Sequence, residues 1–486
     1  MKRLTSDLRS QISNFRSQIA AALILVLLLS NLAFGQKKGY PPPPTQTPPV
    51  YRADETTPQA GAQSFGDFRW FEVFKDEQLQ VLIRTAIAQN YDIRQAEARI
   101  NAARAQLGLA RADQFPNFAV SSNLTTQRLP KDGSLGELAP GTQRNVSFGQ
   151  VLLNLLNFEL DIWGRVRKIK NARRADLKAA EENRQFVLAT VVSTVAAAYF
   201  QLRELDLELE ISQRTLTTRR ESLRIIKLRA DAGLATSLDL RQAEQLVYSA
   251  SVTIPDLQRA IEQQENLISL LLGQNPASIP RGRELVAQEL TPTVPPGLPS
   301  DLLQRRPDIR AAEETLVATN YDVEAARAAY FPRISLTGFL GGDSTALSSL
   351  FTNAGSVWGF APALTQPIFT AGRLKSNVNF NKAQRESAIV GYQSTVQGAF
   401  REVSTALISY RKTVEERAQQ ELLVAALKER ARLAYLRYEG GVDSLLNALD
   451  ADRDYFEAQV ALAQIKLNEL TAVVQLYRAL GGGWQV

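Results

Sequence analysis

Residues 165 to 231 carry one unbroken helical pattern, and residues 373 to 439 carry another. At 1.5 Å per residue, sixty-odd helical residues reach about 100 Å. No compact domain needs such a length. Ala, Leu, Gln, Glu and Arg dominate both runs, and apolar residues recur at spacings of three and four, as coiled-coil packing requires. A second helical run follows each, at 235 to 272 and at 443 to 480.

The chain is an internal duplication. Asp92-Ile93-Arg94 matches Asp308-Ile309-Arg310 at an offset of 216, and Phe115-Pro116 matches Phe331-Pro332 at the same offset. Further on the offset is 208. Gly164-Arg165 then matches Gly372-Arg373, Gly233 matches Gly441, and Leu272-Gly273 matches Leu480-Gly481. That register holds for about 110 residues without an insertion. The eight-residue difference lies between the proline and the Gly-Arg pair, where one half has the longer loop.

Each half opens with a helical pattern of about 35 residues, such as 77 to 113, that stops at Phe-Pro. Proline cannot continue a helix, and it biases the residue before it to extended geometry. Arg111 and Arg327 sit in the last turn, where positive charge suits the helix dipole. Two strands and a loop follow. In the first half 117 to 129 and 145 to 160 flank the loop 130 to 143. In the second, 333 to 340 and 356 to 369 flank the Gly/Ser-rich 341 to 355. Phe115, Pro116, Phe331 and Pro332 therefore mark helix-to-strand junctions, and Gly164 and Gly372 mark the return to helix, where glycine permits a tight bend. Gly233 and Gly441 lie where the long helices turn back, and glycine past a helix end supplies a left-handed cap. Four short strands cannot close a barrel in one chain, because the smallest outer-membrane barrels have about eight. Several chains would have to pool them.

Composition narrows the chemistry. Of 486 residues none is cysteine or histidine, and one is methionine. Disulfides, Cys/His zinc sites and Ser-His or Cys-His nucleophiles are excluded. A carboxylate pair or a Ser-Lys dyad stays possible, but no compact domain is present to hold one. No enzyme activity, cofactor or metal site is expected. Basic and acidic residues interleave along the helical runs, which speaks against nucleic acid as a partner.

The N-terminus reads as a secretory signal. Lys2, Arg3, Arg9 and Arg16 precede the apolar run IAAALILVLLL, and Ala33-Phe34-Gly35 offers small residues at a cleavage site. No later segment is apolar for the roughly 20 residues of a spanning helix. The expected organisation is a signal peptide at 1–35, a proline-rich segment at 36–65 and a first repeat at 66–280. A linker at 281–300 and a second repeat at 301–486 follow.

Four separated motifs then carry a resemblance. They are Asn157-Phe158-Glu159-Leu160-Asp161-Ile162-Trp163-Gly164-Arg165, Gln304-Arg305-Arg306-Pro307-Asp308-Ile309-Arg310, Gln366-Pro367-Ile368-Phe369-Thr370-Ala371-Gly372-Arg373 and Tyr438-Glu439-Gly440-Gly441-Val442-Asp443-Ser444. Phe71-Glu72-Val73-Phe74-Lys75-Asp76 also looks like the family's opening. In this order, from about residue 66 to the C-terminus, they resemble the TolC-type outer-membrane efflux proteins, nearest the OprM/NodT branch. The resemblance implies a mostly α fold with a membrane β-barrel, built from duplicated helix–hairpin–long-helix-pair units. It implies a homotrimer in which each chain gives four strands to a twelve-stranded barrel in outer-membrane lipid and its long helices to a periplasmic tunnel. It implies a periplasmic adaptor and an inner-membrane pump as partners. Many members of the branch carry a lipid-modified cysteine, and here Leu32-Ala33-Phe34-Gly35 leads to Gln36 instead. The expectation is an outer-membrane protein without a lipid anchor.

The resemblance also places a constriction past the two helical turns. Its aspartate one turn past the first falls on Asp239, its tyrosine gate on Tyr438, and its two-aspartate pattern on Asn447 and Asp450. The archetype has an arginine where this chain has Asp443, so that latch does not carry over, whereas the branch pattern Gly441-Val442-Asp443-Ser444 fits. Asp239 and Asp443 lie near helix starts, where an aspartate also caps amide groups. The expected function is a passive export conduit for drugs, toxic compounds or ions. The alternatives are a type I secretion conduit for proteins and a non-channel periplasmic coiled-coil structural protein.

Overall fold

Local signals set the elements. A computed structural model of the chain describes Tyr40, Pro43, Pro44, Thr47, Pro48, Tyr51, Arg52, 64–128, Pro130, 132–133, 136–137, 145–288 and 299–484. The expected signal peptide at 1–35, position 36 and parts of the proline-rich segment and linker lie outside these residues.

The first half runs through α1 Glu77–Gln89, α2 Tyr91–Ala112, β1 Phe118–Arg128, β2 Asn145–Leu160, α3 Arg165–Asp231 and α4 Ser237–Leu271. The second half repeats the order. It consists of α5 Pro299–Arg305, α6 Pro307–Ala328, β3 Arg333–Ser344, β4 Ser356–Thr365, α7 Arg373–Glu439 and α8 Leu445–Ala479. The long helices match in length, 67 residues for α3 and α7 and 35 for α4 and α8. Between β1 and β2, within the expected loop 130–143, Asp132–Gly133 pairs with Gly136–Glu137 in a small antiparallel ladder.

The chain divides into two compact units. One contains Ala105–Ala175 and Leu316–Ser387, and with them all four long strands. The strands form one antiparallel sheet in the order β1-β2-β3-β4, so β1 and β4 are its edges. Large apolar side chains stand exposed at alternate positions, Phe118, Val120 and Leu124 on β1 and Trp358, Phe360 and Leu364 on β4. The alternation is that of a two-faced sheet. A bulge in β2 shifts its register against β3 between Leu155 and Phe158.

The second unit holds the apolar core. Val192, Val195 and Tyr199 of α3, Ile268 of α4, Val396 and Val403 of α7 and Val473 and Tyr477 of α8 are all buried. The segment before α1 adds Phe65, Trp70 and Phe74, and the Tyr477 hydroxyl donates to the Phe68 carbonyl at 2.7 Å. One window of α3 is long and apolar enough to cross a membrane, contrary to the sequence reading, but 61% of that window is buried inside the protein.

The single helix expected over 77–113 is two, because Asn90 breaks it. Asn90 takes ψ 136°, its Oδ1 accepts from the amides of Asp92 and Ile93, and its Nδ2 donates to the Leu271 carbonyl at 2.8 Å. One side chain thus starts α2 and satisfies an open carbonyl at the end of α4. Arg306 holds the same place between α5 and α6. Its Nη1 donates to the Ala479 carbonyl at 3.0 Å and to Glu402 at 2.9 Å, and its Nη2 pairs with Asp308 at 2.7 Å. Pro307 follows at the first helical position, where its missing N–H costs nothing.

Two buried polar features lie in the same unit. Asp76 caps α1 and accepts from Tyr199, the Gln288 amide and the Arg283 backbone. Burial alone would raise its carboxyl, but these hydrogen bonds outweigh burial and hold it below the usual carboxylate range. On α3, Glu204 is buried one turn from Glu208. Burial pushes the Glu204 carboxyl up to about 8, and the charge and hydrogen bond of Glu208 add to it.

Candidate functional site

The two turns between long helices are built alike. Gly233 has φ +75° and Gly441 φ +73°. The Gly233 amide donates to the Ala230 carbonyl and the Leu234 amide to that of Arg229 at 2.7 Å. The Gly441 amide likewise donates to the Tyr438 carbonyl and the Val442 amide to that of Arg437, each at 3.0 Å. This paired bonding satisfies the last carbonyls of α3 and α7 and requires the left-handed residue that glycine supplies.

The four helix ends pack on one small apolar cluster of Ile226 from α3, Ala243 from α4 and Leu445 and Leu449 from α8, with Tyr438 of α7 against it. The Arg229 guanidinium lies 4.7 Å from the centre of the Tyr438 ring. The Tyr438 hydroxyl is buried and has no hydrogen-bond partner. Beyond the cluster, Leu234, Leu238 and Val442 are exposed.

Each expected aspartate has its own local bonds. Asp239 closes a capping box, its carboxylate accepting from the Thr236 amide and hydroxyl at 2.8 Å each. Asp443 accepts from Asn447 Nδ2 at 2.6 Å, Arg437 Nε at 3.0 Å and the Ser444 amide at 2.8 Å. The Asn447 and Arg437 bonds hold its carboxyl below the ordinary range. Asp450 pairs with Arg453 at 3.2 Å. The structure thus joins Asp443 to Asn447 and seats Tyr438 on the shared cluster. No hydrogen bond or ion pair among the described residues links Asp239, Asp443 and Asp450 to one another.

Sequence reasoning missed the buried pair nearby. Arg219 of α3 is 4% exposed, and its Nε donates to Asp452 of α8 at 2.8 Å. Arg219 Nη1 reaches the Leu246 carbonyl at 3.3 Å, its guanidinium lies 5.2 Å from the Phe456 ring centre, and Nη2 is buried without a partner. This pair is a buried polar tie between the two repeats close to the turns. Asp452 stands in the charged run Asp450-Ala451-Asp452-Arg453-Asp454, which reads as solvated surface. Only its fall on the apolar side, beside Ala451 and Leu449, could have signalled burial.

The helix–strand junctions differ between the halves. Gly164 and Gly372 take φ +73° and +85°. Asp161 caps α3 through the amides of Val166 and Arg167. Trp163 stacks on Phe331 at 5.0 Å, and its Nε1 donates to the Pro332 carbonyl at 2.8 Å. Ala371 fills the Trp163 position in the second half, at φ +47°. Phe115, the counterpart of Phe331, is 69% exposed beside Pro116. Among the described residues no cluster of carboxylates is arranged to hold a metal.

The family model for outer membrane efflux protein matches this chain twice, over residues 82–274 and 298–482. The chain belongs to the outer membrane efflux protein family. Among its relatives, the toluene efflux pump outer membrane protein TtgC of Pseudomonas putida is 38% identical over 439 residues, covering 90% of this chain and 88% of that one. Outer membrane protein OprJ of Pseudomonas aeruginosa is 37% identical over 451 residues, covering 91% and 92%. The fold is that of solved channels. The open state of the MtrE outer membrane channel of Neisseria gonorrhoeae superposes with a TM-score of 0.83 at 33% identity, over 92% of this chain and 98% of that one. A membrane protein of Pseudomonas aeruginosa gives 0.85 at 35%, over 91% and 99%. This outer membrane efflux protein is accordingly a channel component of the outer membrane, and the family is one of transporters.

Proposed function

We propose that the chain is a passive conduit that acts as a homotrimer and carries out no reaction. The carrying observation is the four-stranded sheet whose two edges, β1 and β4, both lack a partner strand among the described residues. Unpaired edges are an invitation to another strand. Three chains with four strands each give a closed twelve-stranded barrel, within the range of such barrels. The long helices of the same three chains line a tunnel on the periplasmic side, and Asp239, Tyr438, Asp443, Asn447 and Asp450 form its constriction. A periplasmic adaptor docks on the turns near 231–237 and 439–445, where Leu234 and Val442 are exposed. An inner-membrane pump supplies the energy.

We assign the working parts to two repeats, 66–280 and 301–486, joined by a linker at 281–300. A signal peptide at 1–35 and a proline-rich segment at 36–65 precede them. The reading of the cargo is supported by the names of relatives, which give toluene, solvent and antibiotic efflux. We assign small organic compounds to this chain as well. The test is the mass of the membrane-extracted chain in mild detergent, followed by conductance in a planar bilayer. A trimer with steady conductance is expected. A soluble monomer or dimer without conductance would leave a coiled-coil scaffold.

A further inference from the structure

We propose a residue-by-residue register for the seam between neighbouring chains, resting on the trimer reading above. The duplication supplies it. Phe118 pairs with Leu155 in the first hairpin, and Ile334 pairs with Leu364 in the second. Phe118 and Ile334 each stand two residues past the matching Pro116 and Pro332. Leu155 and Leu364 are therefore equivalent, one residue off the spacing set by Gly164 and Gly372. The β2 bulge between Leu155 and Phe158 accounts for that one residue.

Within the chain, the two repeats meet at the β2–β3 seam, where Leu155 opposes Gly338 and Val151 opposes Gly342. A closed ring of alternating repeats needs a second seam, between β4 of one chain and β1 of the next. Carried across by the equivalences, the in-chain seam sets Leu364 of one chain opposite Ser122 of its neighbour. Phe360 then opposes Thr126, and Trp358 opposes Arg128.

The pleat checks this independently. A slip of one residue turns every side chain to the other face. The in-chain rungs place Phe118, Val120 and Leu124 on the same face as Trp358, Phe360 and Leu364. The derived register keeps them on one face across the seam. The uncorrected 208-residue offset would oppose Ser122 to Ala363 and split that face.

Cysteine cross-linking tests it cleanly, since the chain has no cysteine. Directly opposed Cα atoms lie about 4.5–5.5 Å apart and can be bridged. A shift of two residues adds about 7 Å along the strand and removes that reach. The full-length variants carry F360C with T126C, or A361C with T125C on the adjacent rung. Shifted controls carry F360C with L124C or with R128C. L153C with L340C, an in-chain rung, reports whether the sheet has formed.

On oxidation in membranes, a matched pair is expected to give covalent trimers at least about tenfold faster than the shifted pairs. Faster cross-linking by a shifted pair overturns the register and leaves the trimer standing. Closure of the in-chain rung with no cross-link between chains, in a protein of monomeric mass, overturns the trimer as well. Failure of the in-chain rung overturns the sheet on which both rest.

Discussion

The side-chain amide of Asn90 donates to the carbonyl of Leu271 at 2.8 Å, across 181 residues of chain. Its Oδ1 meanwhile accepts the first amides of α2. Asn90→Ala removes both contacts, and the expected loss is about 1–2 kcal/mol. Urea or thermal midpoints of the detergent-purified protein report it. Asn90→Asp keeps the acceptor and loses the donor, so it should fall between the two.

Arg306 performs the matching task with charge. It is almost fully buried between Asp308 and Glu402. Arg306→Met strands two carboxylates and the Ala479 carbonyl, and a loss of about 3–5 kcal/mol is expected. Arg306→Lys should rescue little, because an ammonium cannot serve all three acceptors in that geometry. A midpoint equal to wild type for either variant would contradict this account.

The Arg219–Asp452 pair makes a sharper case. Breaking it from one side, by Arg219→Met or Asp452→Leu, should cost about 3–5 kcal/mol, while the two changes together should recover most of that. A double-mutant cycle on thermal stability measures the coupling. Simple additivity of the two single changes would show that the pair holds nothing together.

Glu204 gives the protein a pH dependence. Its folded pKa of about 8 lies above the ordinary 4.5. A carboxyl raised on folding favours the folded state in its protonated form. That contribution is whole below about 4.5 and is lost as pH rises from there through about 8. The melting temperature should therefore fall between pH 5 and pH 8.5, and Glu204→Gln should flatten the slope. An unchanged slope in the variant would assign the dependence elsewhere.

Asp450 and Gly441 test the constriction. Asp450→Ala should lower cation selectivity in single-channel recordings, because each side chain counts three times around a trimer. Unchanged conductance and selectivity would remove Asp450 from the pore. Gly441→Pro cannot take φ +73° and loses the Gly441–Tyr438 backbone bond. Export should fail while trimers persist on native gels.

Much of the fold was legible in the sequence because proline and glycine punctuate it. Phe-Pro ends α2 and α6, Gly-Arg opens α3 and α7, and Gly233 and Gly441 end them. The break at Asn90 was not legible, since Gln89-Asn90-Tyr91 contains neither residue. Its counterpart at Arg306-Pro307 does, and comparing the halves would have exposed it. Of the candidate site, the glycine turns were readable from chain direction alone. Which charges are buried was not, because Asp452 differs from Asp450 and Asp454 only in the side of α8 it occupies. The β2 bulge was equally silent, as it depends on pairing with β3.

The open edges of β1 and β4 also set an order of events. Hydrocarbon offers an unpaired peptide group no partner, at a cost of several kcal/mol each. A lone chain therefore cannot settle in the bilayer ahead of its neighbours. Meeting and insertion become one step, whose rate climbs steeply with the number of chains waiting outside. Slow synthesis would then delay insertion as a whole rather than leave one-chain or two-chain pieces in the bilayer.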